Sequence, residues 1–431
     1  MAGTDIMTHS ALILRPDPAR TVIRPFSLED PGPFVVKGHP RAERIIARVM
    51  SLDDDELRTE LDRVVTSLSE RHRDVEATLL RRFTEVEALT EEEEHLDRDR
   101  SLLIGAYFSE EYSFESAALF NPCILMHPDQ SNLAEGTIRF AMSLRGIGEG
   151  HVSSVTFRCG TWAENGYVTV DPPSVTVVSP QIDSVDGEGD DAVTRVVFPG
   201  SQDPSETVLF PVTPSQHQGI EDLRMVRFVE DDGSVQYLGT YTAFSGSVAR
   251  SELLRAHDFR SFEMRPLHGA AAAAKGMALF PRRIGGRYAM LSRQDNENIW
   301  LMYSDDLYTW DGGEKIVTPK WFWEFVQMGN CGSPIEIEEG WLLLTHGVGT
   351  VRNYCIGACL LDRDDPSKVI KRMKLPLVHP SPKERDGYVP NVVYSCGGLV
   401  HDRRLLLPYG VADSFTTFAS VALDDLLAVM V

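Results

Sequence analysis

Positive charge is scarce in this chain. Its 431 residues carry 42 Lys and Arg against 64 Asp and Glu, a formal net charge of −22. No Lys/Arg-rich run interrupts the acid excess, so the electrostatic footprint of a nucleic-acid binder is missing. Long apolar runs are missing too. No stretch nears the roughly 20 residues that cross a bilayer, which argues against a membrane protein. The opening MAGTDIMTHSALILRPDPAR has no basic segment followed by an apolar core, so no secretory leader is read there. Cysteine is sparse and scattered: Cys123, Cys159, Cys331, Cys355, Cys359 and Cys396. Cys355 and Cys359 stand four apart, but no second pair stands at metal-ligand spacing. The six are read as buried thiols of a reducing compartment, with a cytoplasmic location and no metal expected. What remains is 42% hydrophobic and 25% charged, a composition that can bury a large core. The length allows one large domain or two to three ordinary ones.

The texture changes along the chain. Residues 1 to about 38 are Pro-rich and irregular. Helical spacing follows in Leu57, Leu61, Val64, Val65 and Leu68, and again in Val75, Leu79, Leu80, Phe83 and Val86. Ser51 is the expected N-cap, with acids in the first turn. The acid runs SLDDDELRTELD and LTEEEEHLDRD read as a solvated helical face. Residues 1–99 are therefore expected to be an irregular segment and a helical extension, a hairpin or one long broken helix. Its one-sided apolar stripe needs cover from the main domain or from another subunit, and a homo-oligomer through this extension is expected.

From about residue 100 short Val, Ile, Phe, Tyr and Thr runs alternate with Gly, Asp, Asn and Pro turns. One phrase recurs: a turn, an aromatic-aliphatic strand, then a polar residue at the strand's end. It appears as EGTIRFAMSLR ending at Arg145, DGSVQYLGTYTA with Tyr241 and Thr242, and GGRYAMLSR ending at Arg293. It returns as EGWLLLTHG reaching His346 and DRRLLLPYGVAD running to Asp413. Five such copies predict an all-β fold over residues 100–431, a five-bladed β-propeller, with a β-sandwich as the alternative. In a propeller the innermost strands converge, so Arg145, Arg293, His346 and Asp413 are expected at one mouth.

Two arginines, a lysine and a histidine near one axis suit a phosphate or carboxylate ligand. Lys275, in AAAAKGMALFP, precedes the third repeat and is expected beside Arg293 across a hairpin. Each alone has a plainer reading: Lys275 solvated, His346 a core histidine, Arg293 paired with Asp295 or Asp305. Asp222, in IEDLRMVRF, is the candidate acid, placed at the start of the second repeat's outer strand. An inverting hydrolase needs a second carboxylate to activate water, whereas a phosphorylase uses phosphate itself as nucleophile. Strand alternation is expected to turn Glu221 away from Asp222, which favours phosphate. The cluster Trp321, Phe322 and Trp323 suits core, interface or a sugar subsite. YSDDLYTW reads as a turn, with Trp310 packing between blades.

These stretches carry a resemblance. FNPCI, IEDLRMVRF, YTAFSG, KGMALFPRRIGGRYAMLSR, YSDDLYTW, GSPIEIEEGWLLLTHGV, IGACLLDRDDPSKVI, GYVPNVVYSCG and YGVADSFT stand in one order over about residues 100 to 430. Together they resemble glycoside hydrolase family 130, β-mannoside phosphorylases and β-mannosidases on a five-bladed β-propeller. The helical region resembles an extension found in part of that family. The resemblance implies that Asp222 is the catalytic acid, passing its proton through the mannose 3-hydroxyl. It implies that Lys275, Arg293 and His346, joined by Tyr354, hold phosphate, and that Asn121, Arg145 and Asp413 grip the mannose. Glu221 and Arg224 are expected to shape and buttress the Asp222 turn. Leu223 stands where the family has Pro, and Cys331 and Ser333 stand where it is richer in Gly and Pro. The acidic insertion VSPQIDSVDGEGDDAVTRVVFPGSQDPSETVLF is expected to cap the cleft or pack between subunits. The activity implied is inverting phosphorolysis of β-mannosides, β-1,2-linked manno-oligosaccharides first, giving α-mannose 1-phosphate. Inorganic phosphate is co-substrate and no cofactor is called for. An inverting β-mannosidase and a non-catalytic sugar-binding propeller are the alternatives.

Overall fold

A computed structural model of the chain describes residues 6–28, 40–87, 96–382 and 387–431. From residue 118 onward it is a succession of antiparallel meanders. Sheet I comprises Ala118–Met126, Thr137–Ile147, Ser153–Ala163 and Val168–Val170. Sheet II comprises Gly219–Val229, Val235–Phe244, Ala249–Ala256 and Ser261–Pro266. Sheet III runs Lys275–Leu279, Tyr288–Arg293, Ile299–Ser304 and Glu314–Val317. Sheet IV runs Gln327–Asn330, Gly340–Val348, Tyr354–Leu361 and Val369–Arg372. In sheet V, Val393–Tyr394, Arg404–Val411 and Phe415–Ala422 are followed at the edge by Thr8–Leu14 from the other end of the sequence. Sheets I and II also touch through one parallel pair, Ser153 with Gly219.

Burial on both faces explains the unbroken apolar runs. Every residue of Gly340–Val348 is buried. Trp341 and Leu343 join a core with sheet III, while Leu342 and Leu344 join a core with sheet V. In Arg404–Val411, Leu405 and Leu407 face sheet IV and Leu406 faces sheet I. Successive side chains of a strand point to opposite faces, so an LLL run marks a strand covered on both sides. Further cores join sheets I and II, and II and III, the latter holding Trp310 as the sequence predicts. The shared cores thus run I–II, II–III, III–IV and IV–V, and return from V to I.

Each recurring phrase forms one sheet's second strand, not its innermost. Asp222 in turn lies on the first strand of sheet II, not on an outer one. Both corrections have one cause. In an antiparallel pair the end of the second strand lies beside the start of the first, so both reach the same mouth.

The N-terminal part differs more. The segment expected to be irregular supplies the edge strand Thr8–Leu14 and a strand, Thr21–Pro25, paired with Ser109–Ser113. Among the described residues the helical part is four helices: α1 Arg41–Met50, α2 Asp54–Ser69, α3 Val75–Val86 and α4 Arg98–Tyr107. Ser51 ends α1; the cap of α2 is Asp53, which accepts from Asp55 and Glu56 while Glu56 returns to the Asp53 N–H. Part of the acidic run LTEEEEHLDRD lies outside the described residues. The apolar stripe is covered within the chain: Leu57, Phe83, Leu103 and Ile104 share one core, Leu61, Leu79 and Leu102 another. A Cβ on Gly105 would lie 2.0 Å from the Leu79 carbonyl oxygen, so α3 and α4 touch only because Gly105 has none. The observation behind the expected oligomer is thereby accounted for inside one chain. The acidic insertion adds Val193–Val197 and Gln181–Asp186 to the far edge of sheet II and meets the helices through Arg73 and Glu206 at 2.7 Å. It therefore lies on the opposite edge of that sheet from Asp222. No helix among the described residues is long and apolar enough to cross a membrane.

Candidate active site

The first strand of every sheet is interrupted at the same level. Pairing slips between Phe120 and Cys123, between Glu221 and Arg224, and between Lys275 and Ala278. The residues at the slips are left-handed: Asn121 at φ 48°, Asp222 at 51° and Gly276 at 77°. In sheets IV and V the first strand breaks in two around Gly332 and Gly397, at φ 148° and 157°. A bulge bends its strand and re-aims a side chain, and Asn and Asp tolerate the left-handed region better than most residues. Asp413 reaches the same level from a tight turn, with Ala412 and Asp413 both left-handed at φ 49° and 48°.

These devices bring the acidic half of the site together. Asn121 Nδ2 donates to Asp222 Oδ1 at 2.6 Å. Arg145 places Nη1 3.3 Å from Asp222 and Nη2 2.9 Å from Glu221. Lys275 Nζ lies 3.4 Å from the other Glu221 oxygen. Arg224 is 3% exposed; it donates to the Asp222 carbonyl at 3.0 Å and to Tyr394 at 2.8 Å. It buttresses the acid's turn as the sequence suggests. Glu221 does not turn away. The bulge breaks strand alternation between Glu221 and Asp222, so both carboxylates meet one guanidinium.

The basic half lies alongside. Lys275 and Arg293 are register partners across the sheet III hairpin. Asp295 and Asp305, the plainer partners, are engaged by Lys315 and Arg287. Arg293 Nη1 meets His346 Nε2 at 3.2 Å, and among the described residues Arg293 has no carboxylate within 4 Å. Burial, then Arg293 and Arg224, push the His346 pKa well below its ordinary value. His346 is therefore neutral and accepts a hydrogen bond from Arg293 through Nε2. Tyr354 stacks on it, ring centroids 6.1 Å apart.

Two carboxyls near Arg145 have opposite acidities. Burial raises Asp222, but Arg145, Arg224, the Asn121 hydrogen bond and Lys275 outweigh it and hold it below the usual range. Burial dominates at Asp413, whose pKa is raised to about 6 against the pull of Arg145, with Asp222 adding to the rise. Arg352 also acts on Asp413 and was missed in the sequence reading. It stands in a rim loop, Thr350–Arg352, whose left-handed Val351 and Arg352 repeat the geometry of Gly150 and His151 in sheet I. Its signal was the paired Gly-led loops, GEGHV and GTVRN. Asn330, buried at the end of its strand with Oδ1 unpartnered, was also missed.

All eight predicted site residues are thus linked by contact, register or field. With Arg224 and Glu221 they put four cations, Arg145, Arg224, Lys275 and Arg293, beside three carboxyl groups, Glu221, Asp222 and Asp413, in a chain whose net charge is −22. Unpartnered buried atoms gather here as well: Asn121 Oδ1, Arg224 Nε, Arg293 Nε and Asn330 Oδ1. Each buried polar atom left without a partner calls for an explanation, and a polar ligand or water in the site would supply one here. A cavity of about 710 Å³ opens at the opposite ends of the same first strands, beside Met126, Val229 and Pro281. It contains none of these groups, so the chemistry assigns the other mouth. The six cysteines are buried and unpaired, and burial pushes the Cys123 and Cys331 thiols up to about 12. Among the described residues no group of three His, Cys, Asp or Glu is arranged to hold a metal. Trp323 is buried against Gly347 and Gly357, whereas Phe322 is 76% exposed and packs edge-on against Phe325.

Known proteins match this chain. The profile of glycoside hydrolase family 130, described as beta-1,4-mannooligosaccharide phosphorylase, matches residues 201–431. The 1,2-beta-oligomannan phosphorylase of Thermoanaerobacter sp. (strain X514) is 41% identical over 154 residues, 35% of this chain and 52% of that protein. The beta-1,2-mannobiose phosphorylase of Listeria innocua serovar 6a is 31% identical over 227 residues, 51% of this chain and 62% of that protein. The chain thus spans between half and two thirds of these curated relatives. The solved structure of the Listeria innocua enzyme with beta-1,2-mannobiose has a TM-score of 0.50 at 23% identity, covering 74% of this chain and 92% of that one. That likeness is one of fold.

Proposed function

The chain belongs to glycoside hydrolase family 130, and from that premise we propose that it is an inverting β-mannoside phosphorylase using inorganic phosphate and no other cofactor. β-1,2-Linked manno-oligosaccharides are the favoured substrate, in line with the names of the Thermoanaerobacter and Listeria relatives. The five meanders and their returning cores support a five-bladed propeller with this site at one mouth. Six buried unpaired thiols suit a reducing, cytoplasmic setting.

One observation carries the reading. Arg293 is a partly buried guanidinium with no carboxylate partner among the described residues, set beside Lys275 and fixed by His346. A cation kept unneutralised in a partly buried site favours an anion, and a guanidinium fork suits phosphate. Lys275 and Arg293 hold phosphate, while neutral His346 orients Arg293 and Tyr354 backs His346. Asn121, Arg145 and Asp413 grip the mannose, and Asp222 is the acid. A phosphate oxygen attacks the anomeric carbon as the bond to the leaving oxygen breaks. That oxygen takes a proton traced through the mannose 3-hydroxyl to Asp222, and β becomes α. The cations hold Asp222 ionised in the resting site. Phosphate draws Lys275 to itself, removes part of that field and raises the proton affinity of the acid, which takes up the proton brought by dihydrogen phosphate and passes it on to the leaving oxygen. Glu221 supports a hydrolytic reading as a second carboxylate, but both of its oxygens are already engaged, one by Arg145 and the other by Lys275.

Arg293→Ala and Lys275→Ala are expected to raise the phosphate KM roughly 10- to 100-fold, the worth of a hydrogen bond to a charged group. The mannoside KM should move much less. An equal rise in both, in initial-rate kinetics, would contradict the assignment.

A further inference from the structure

We propose that Asn330 is a positioning residue for Arg293, supplying one half of a hydrogen bond that forms when Arg293 closes on phosphate. The inference rests on the phosphorylase reading. Asn330 ends the first strand of sheet IV and is 1% exposed. Its Nδ2 donates to the Gly332 carbonyl at 3.4 Å, which fixes the amide, since the reversed amide would set oxygen against oxygen. Its Oδ1 is then buried with no partner. Arg293 Nε is buried with no partner too. One is an acceptor and the other a donor, and the two side chains are neighbours across Gly276. A Cβ on Gly276 would sit 3.8 Å from Arg293 Cβ and 3.9 Å from Asn330 Oδ1.

The resting site uses only part of the guanidinium. Nη1 is held by His346, and Nε is idle. A small swing about Cδ gives Nε to Asn330 and turns the outer fork, both Nη groups, toward an anion. Asn330 and phosphate then engage opposite edges of one planar group. Asn330 never touches the reacting atoms. It acts through Arg293, so its removal weakens phosphate binding and leaves the mannose side alone.

The test is initial-rate kinetics on the full chain with β-1,2-mannobiose and inorganic phosphate, comparing the native protein with Asn330→Ala and Asn330→Asp. Asn330→Ala should raise the phosphate KM roughly tenfold, about 1.4 kcal/mol, with the mannoside KM and kcat little changed. Asn330→Asp keeps the acceptor oxygen but adds a charge that competes for Arg293, so its phosphate KM should rise further. The phosphate-induced rise in Tm should shrink in both variants, while any mannose-induced rise persists. A phosphate KM that stays put, or one that rises in step with the mannoside KM, overturns the inference and leaves the phosphorylase reading standing. If the native protein releases mannose with or without phosphate, the phosphorylase reading fails and this inference fails with it.

Discussion

Asp222 and Asp413 are the same chemical group near the same arginine, yet their surroundings drive them apart. Asp222 is ringed by Arg145, Arg224 and Lys275 and stays ionised. Asp413 is buried with less help and holds its proton to about pH 6. Its folded pKa lies above the ordinary value of 3.8, so the native state binds the proton more tightly than the unfolded chain. That stabilisation is complete below pH 3.8 and is lost as pH rises through about 6. The shift of about two pKa units corresponds to about 3 kcal/mol. Asp413→Asn has no proton to lose. Denaturant unfolding at pH 4 and pH 7 should show wild type losing up to that amount relative to the variant as pH rises. A gap that does not change with pH contradicts the environment assigned to Asp413. Legibility at this scale was uneven. Residues that close a repeat were found because the repeat marks them. Glu221 was misplaced because a bulge, invisible in the alternation of side chains, turns it beside Asp222. Asn330 stands at no repeat end, and only its unpartnered oxygen draws attention to it.

At the scale of elements, the recurring strand phrase was most legible in sheets IV and V, where both faces of the second strand are buried, which writes LLL where one-sided burial would alternate. Its place was misread by one strand, since nothing in a strand's own composition says which neighbour lies nearer the axis. The Pro-rich start hid two strands: pairing partners as distant as Ser113 for Thr21 and Ser420 for Thr8 leave no local trace. One of those ends is tied down by a buried charge cluster. Glu115 is fully buried, paired with Arg20 at 3.1 Å and with Arg158 at 2.8 Å. Burial and then Arg158 lower the Arg20 pKa to about 10, so the carboxylate is what makes two buried guanidiniums tolerable. Glu115→Gln should destabilise the fold by about 3–5 kcal/mol, because it leaves buried charge uncompensated. The exposed Arg287–Asp305 pair is the control, and Asp305→Ala should cost no more than about 1 kcal/mol. Equal small losses in thermal denaturation would mean that water reaches the Glu115 cluster.

For the whole molecule the notable fact is a sign reversal. A chain of net charge −22 concentrates cations at one mouth of its meanders. At physiological salt the distant acids are screened beyond roughly 8 Å, so an anion in the mouth responds to the local cluster rather than to the net charge. In the proposed reaction, that cluster is what favours phosphate over water as the nucleophile. The described helices of the extension cover their own apolar stripe within the chain. The measurement that tests this account most directly is a product assay on β-1,2-mannobiose and on β-1,4-mannosyl-glucose, each with and without inorganic phosphate. α-Mannose 1-phosphate is expected from the β-1,2-linked sugar, formed only when phosphate is present. Free mannose at the same rate in both tubes would contradict it, and the role given to Arg293 would fall with it.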